Sequence, residues 1–192
     1  SVGQHLNYDT ATNAFSCGST AGKYYQYSLL SHGTVLDDAN PPAITVVEST
    51  GTATPRRYVA DFDSGSVNEI CYNTIFVPYD SNSSIDPTID FYWQTAATTG
   101  NVKWGVQVSA TTESDTTAMT ADAADAENAT IEAVNGTANR LIKTTVTLAN
   151  RDSMATDDSL TLILYRDASD TTNDTATSDA RLLGVKFNIP RL

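Results

Sequence analysis

The sequence predicts an all-β fold: an antiparallel two-sheet β-sandwich of jelly-roll type with an extended N-terminal arm. Three observations carry that reading. Apolar residues recur with period two in segment after segment. The connections between those segments hold Gly, Asn, Asp and Pro, as in Asn40-Pro41-Pro42 and Thr99-Gly100-Asn101. No strand–helix alternation appears, which argues against a parallel α/β sheet.

Residues 1–22 form the arm. They are polar and hold few core-sized side chains, yet Val2, Leu6 and Tyr8 share one parity against Gly3, His5, Asn7 and Asp9. That is a short strand pattern with too little around it to make a sheet alone. Two readings follow. The arm is the first edge strand of its own sandwich, or it is donated to a neighbouring copy and builds a head-to-tail filament.

Residues 23–192 form the sandwich domain. Lys23–Leu30 places Tyr25, Tyr27 and Leu29 on one face. Ala43–Glu48 and Arg57–Phe62 are short strands rich in β-branched residues. Glu69–Val77 is apolar on both faces, which reads as a central strand. Thr88–Thr95 alternates Ile89, Phe91 and Trp93 with Asp90, Tyr92 and Gln94, and Asn101–Ser109 alternates Val102, Trp104, Val106 and Val108 with polar residues or Gly105. Leu141–Leu148 and Arg181–Ile189 repeat the pattern, and Ser159–Asp167 is a mixed version of it. Eight to ten strands in this length favour a jelly roll over an immunoglobulin-like domain. The long connection Thr111–Thr130 is Ala- and Thr-rich, and Met119–Ala129 reads as a short exposed helix at most.

Composition narrows the function classes. The chain has 192 residues, 11 Lys and Arg against 23 Asp and Glu, and a formal charge of −12. Nucleic acid and anionic membrane surfaces demand clustered basic residues, and Arg56-Arg57 is the only such pair. No apolar run approaches the roughly 18 residues of a membrane span. The chain begins Ser1-Val2-Gly3, as a processed secretory precursor would, which points to an extracellular setting. Two cysteines, Cys17 and Cys71, suggest one disulfide in an oxidising compartment, within one subunit or between two.

The run from Phe91 to Trp104 (FYWQTAATTGNVKW) looks like a W-x-A-x-x-T-x-G-x-V-x-W signature, with Thr95 where the signature has Ala. With it go Thr137–Leu141, Tyr165-Arg166-Asp167, Asp179–Val185, and upstream Phe62-Asp63, Glu69 and Phe76-Val77-Pro78. Over roughly residues 57–189 the chain resembles jelly-roll-like β-sandwich domains of phage structural proteins and of secreted bacterial fibril subunits. The resemblance implies a structural, assembling role without an active site. The arm and Cys17 lie outside it.

His5 and His32 sit in no metal-ligand spacing with the cysteines, and neither a G-x-S-x-G elbow nor a phosphate-cradling Gly loop occurs. Acidic pairs such as Asp37-Asp38, Asp61 with Asp63, and Asp157-Asp158 read as solvated turn residues. Calcium is conceivable at two clusters, Asp80, Asn82, Asp86 and Asp90, and Asp167, Asp170, Asn173 and Asp174, though Asx turns explain both. N-x-[ST] sequons stand at Asn82, Asn128, Asn135 and Asn173, all in predicted loops. With Ser and Thr at 46 positions, about three sequons arise by chance. Trp93 and Trp104 share parity with the core, while Tyr24 and Tyr92 are the better surface aromatics for sugar stacking.

These readings converge on a non-enzymatic structural subunit of an extracellular fibril with covalent glycans, polymerising with itself through its arm. The alternatives are a phage virion component (a tail-fibre or capsid-decoration domain) and a carbohydrate-binding module.

Overall fold

The computed structural model describes residues 5–9, 14–18, 24–29, 34–48, 55–65, 67–116 and 122–192, with backbone only for 5–9, 14–18 and 29. Every regular element among them is a strand. In chain order these are β1 (His5–Asp9), β2 (Ala14–Gly18), β3 (Tyr24–Leu29), β4 (Val35–Leu36), β5 (Ala43–Glu48), β6 (Arg56–Phe62) and β7 (Ile70–Phe76). β8 (Thr88–Thr95), β9 (Asn101–Thr111), β10 (Asn128–Ala133), β11 (Ile142–Thr147), β12 (Ser159–Arg166) and β13 (Ala180–Pro190) follow.

The body is a sandwich of two antiparallel sheets of jelly-roll type. One runs β10-β9-β12-β7-β4; the other runs β11-β8-β13-β6-β5, with β3 also paired to β13. β13 serves two partners along one edge. Its start pairs with β6 through Ala180–Leu182, and its end pairs with β3 from Val185 to Pro190. The register against β8 shifts between Leu182 and Gly184, a bulge at the point where the two partners part.

Period-two alternation decides which side chains meet between the sheets. Trp104 of β9 stacks on Phe91 of β8 at 4.8 Å, with Phe62 of β6 and Trp93 of β8 edge-on at 5.2 and 6.0 Å. All four are fully buried. Such offset and edge-on contacts add about 0.5–1.5 kcal/mol per pair beyond area burial. The Trp93 indole N–H donates to Thr144 Oγ1 at 2.8 Å, which explains a buried Thr on β11.

Two expectations are corrected. Glu69–Val77 is not central: β7 has β12 on one side and only the two-residue β4 on the other. The described end of Met119–Ala129 is not helical, since residues 122–127 are irregular and β10 begins at Asn128. Among the described residues of the arm, neither strand joins a sheet of the sandwich. β1 and β2 pair with each other, Leu6 opposite Cys17 and Tyr8 opposite Phe15, as a two-stranded ribbon separate from both sheets. Val2 lies outside the described residues. No helix among those residues is long and apolar enough to cross a membrane.

Candidate functional site

The sandwich is open along one side. Directly opposite residues of an antiparallel pair share a face. On β5 and β6, Ile44 stands opposite Ala60, and Val46 opposite Tyr58. Ala60 is buried in the core, so Ile44, Val46 and Tyr58 share its inward face. Yet they are exposed to 56%, 44% and 78%, because the facing sheet ends in β4 and leaves them uncovered. A groove of about 570 Å³ lies there. Thr34 and Leu36 line it from one sheet, and Ile44, Tyr58, Ala60 and Leu182 from the other.

Next to Thr34, which lines the groove, lies unpaired backbone of β7. β4 reaches only Cys71 and Tyr72 of β7, so Asn73–Phe76 have no neighbouring strand on that side among the described residues. Asn73 faces inward at 3% exposure. Its Nδ2 donates to Thr34 Oγ1 at 3.0 Å, while its Oδ1 is buried without a partner. A buried acceptor left unmatched costs about 1–3 kcal/mol. An incoming strand on this edge would bring backbone N–H groups to that position. Sequence reasoning missed the groove, because exposure of an inward-facing strand residue depends on how far the opposite sheet extends.

The other predicted residues sort as follows. Cys71 is buried between the sheets, where burial pushes the pKa of its thiol up to about 12. Leu6, Tyr8 and Cys17 belong to the ribbon, where only the backbone is described, so their side chains and any Cys17–Cys71 bond lie outside the described residues.

Both acidic clusters are occupied by the chain's own donors and cations. Asp80 receives Arg191 at 2.7 Å and the Tyr25 hydroxyl, Asp86 receives Arg151 at 2.6 Å, and Asp90 receives Lys143 at 3.0 Å. In the second cluster Asp167 and Asp170 both accept Lys103 Nζ, at 2.6 and 3.0 Å, and Asp174 takes the Arg166 guanidinium. Asp167 and Asp170 share the Lys103 ammonium and the other carboxylates each hold a cation of their own, so the calcium reading finds no support in the geometry. No metal-holding group of three or more His, Cys, Asp or Glu occurs among the described residues.

The sequons separate by burial. Asn128 is in β10, not in a loop. It is 6% exposed, its Nδ2 donates to the Asn150 carbonyl, and its Oδ1 accepts the Asn150 N–H. A glycan on that amide is incompatible with the folded strand. Asn135 is exposed, and its Oδ1 accepts the Thr137 N–H across the sequon itself. Asn82 and Asn173 are half-buried, and Asn173 Nδ2 donates to Asp170.

Of the acidic pairs, Asp61 and Asp158 are buried rather than solvated; Asp158 accepts the Ala155 N–H at 2.6 Å. Trp93 and Trp104 are in the core as expected, Tyr24 is 46% exposed, and Tyr92 is half-buried on the outer face of its sheet.

No protein-family model matches the chain, and no curated protein matches it. Solved structures with a likeness in fold include a carbohydrate-binding module specific for non-crystalline cellulose (12% identity, 85% of this chain and 92% of that one, TM-score 0.44). Another is the family 11 carbohydrate-binding module of a Clostridium thermocellum cellulosomal cellulase (8% identity, 100% and 96%, TM-score 0.40). A third is an arabinose-bound α-L-arabinofuranosidase (15% identity, TM-score 0.44). The chain spans 23% of that enzyme and 31% of a similar exo-β-1,3-galactanase from Phanerochaete chrysosporium.

Proposed function

We propose that this chain is a non-catalytic, extracellular structural subunit that assembles head-to-tail, the N-terminal arm of one copy entering the open groove of the next. The observation that carries the reading is the conjunction at the groove. Inward-facing Ile44, Val46 and Tyr58 are left in solvent near a β7 edge that has no partner strand past Tyr72 among the described residues, and near a buried, unmatched Asn73 Oδ1. One extended segment answers all three needs: backbone groups for the edge, a donor for Asn73, and alternate side chains over the apolar wall. The arm supplies such a segment. Its described strands β1 and β2 pair with neither sheet, and Leu6 and Tyr8 recur at the strand period. Burying one large apolar side chain contributes about 1.5–3 kcal/mol, so covering this wall gives several kcal/mol per junction. It also removes an edge that would otherwise recruit unrelated strands.

The test is made on the full chain. Tyr58→Glu and Ile44→Asp each place a charge on the groove wall without touching the arm. Both should keep the far-UV circular dichroism of a β-protein and lose filaments by negative-stain microscopy. A synthetic peptide of residues 1–22 should raise the melting temperature of unassembled chain and leave Tyr58→Glu unaffected. Filaments that persist in both variants would refute the reading.

A second reading, carbohydrate binding, is favoured by a different surface. The outer face of β11, β8, β13 and β3 carries Tyr92 and Tyr24 among amide, hydroxyl and ammonium groups. That mixture of flat rings and hydrogen-bonding groups suits a sugar chain.

A further inference from the structure

The outer face of that sheet is a lattice whose composition follows from register. Lys143, Tyr92 and Gly184 stand in one row across β11, β8 and β13; Thr145, Asp90, Lys186 and Ser28 in the next; Thr147, Thr88, Asn188 and Gln26 in a third. Strand spacing of about 4.8 Å and a same-face repeat of about 6.6 Å set the mesh. From the Tyr92 row to the Tyr24 end of β3 is roughly 20 Å along the strands, the length of about four pyranose units.

Two features single out the Tyr92 row. Gly184, opposite Tyr92, leaves a hollow: a Cβ built there would meet nothing within 4 Å. A ring seated on Gly184 would lie against the half-buried Tyr92 side chain, with Lys143 beyond it. The second feature is charge. Asp90, opposite Lys186, is already saturated by Thr145 Oγ1 at 2.6 Å, Lys143 Nζ at 3.0 Å and Asn188 Nδ2 at 3.2 Å. Lys186 therefore has no carboxylate within ion-pair distance among the described residues, although the chain holds 23 acids and 11 Lys and Arg. Lys143, Lys186 and Arg181 place three of those 11 on this one face, against Asp90 and Asp61.

We propose that this face binds an anionic oligosaccharide, a chain of uronate-type sugars. One ring sits in the Gly184 hollow against Tyr92, and its carboxylate pairs with Lys186. The proposal rests on the carbohydrate reading above and adds its ligand class and contact residues. Asn188, Gln26 and Thr88 extend the track with neutral hydrogen-bonding groups, and Asn188 Nδ2 is already ordered by Thr88 and Asp90. Gly184 also lines the mouth of the assembly groove, so Tyr92 and Lys186, which do not line it, are the residues to vary.

The experiment is affinity electrophoresis of the full-length chain in native gels cast with polygalacturonate, with neutral hydroxyethylcellulose, or without polymer. Wild type should be retarded by polygalacturonate alone. Lys186→Ala and Tyr92→Ala should each cut the apparent affinity at least tenfold at unchanged melting temperature. Ile131→Ala, at an exposed position on β10 of the other sheet, should bind as wild type. Retardation by both polymers, or by polygalacturonate with Lys186→Ala unaffected, overturns the anionic assignment and leaves the carbohydrate reading standing. Retardation by neither overturns both.

Discussion

Arg166 closes β12 inside the core, and all five of its guanidinium donors are used. Nε and one terminal nitrogen hold the Asp174 carboxylate at 2.9 and 2.7 Å. The remaining donors reach the carbonyls of Phe62, Ser178 and Ala176 at 3.2, 3.0 and 2.9 Å. A planar fork of fixed geometry suits this task, and Lys could not reproduce it. Removing one partner of a buried pair strands the other charge, which costs about 3–5 kcal/mol. Arg166→Met should therefore destabilise the domain by that amount in urea titrations, more than Arg166→Met with Asp174→Leu together. Equal losses in the single and double variants would contradict the pairing. None of this was legible in the sequence, where Asp174 read as a calcium ligand or a turn residue. Its cation lies eight residues upstream, and only the folded loop brings the two together.

At the scale of elements, the loop 167–174 is fastened to β9 through Lys103. Its ammonium reaches Asp167, Asp170 and Glu127, and the Asp174 carboxylate accepts the Lys103 N–H. Hydrogen bonds from the Asn173 side chain and from Lys103 lower the Asp170 pKa to about 2. Burial opposes ionisation of Asp167, but bonds from Lys103, Ser169 and Asn68 outweigh it and lower its pKa as well. A carboxylate with a depressed folded pKa stabilises the fold above its unfolded pKa and loses that contribution as pH falls through the folded value. The melting temperature should hold steady above about pH 5 and decline between about pH 4 and 2. Asp170→Asn should flatten part of that decline; an unchanged profile would remove Asp170 from the account.

Strands differed in how plainly the sequence announced them. β8, β9, β11 and β13 were legible because large apolar residues alternate where both sheets cover them. β10 was not, because its pattern is inverted. Asn128, Thr130 and Glu132 alternate with an exposed Ile131, and Asn128 is held by backbone hydrogen bonds rather than by apolar packing. β7 looked central because both its faces are apolar. Its outward face instead includes Phe76, 69% exposed near the open edge.

For the whole molecule, the formal charge of −12 opposes bringing copies together. Screening at about 150 mM salt shortens the Debye length to about 8 Å, against about 30 Å at 10 mM. If junctions form by apolar burial and strand pairing, filament growth measured by light scattering should accelerate over that range. Slower growth would instead indicate charge complementarity between copies.

Strands β8, β9, β11 and β13, their core faces and the aromatic centre around Trp104 were determined by the sequence alone. Alternation is a local property, and any sheet that buries one face must obey it. The tertiary structure alone decided which acids meet which cations, that Asn128 is buried, and that one side of the sandwich stands open. Those outcomes depend on residues up to 120 positions apart being placed by sheet order and strand length, which period two does not encode.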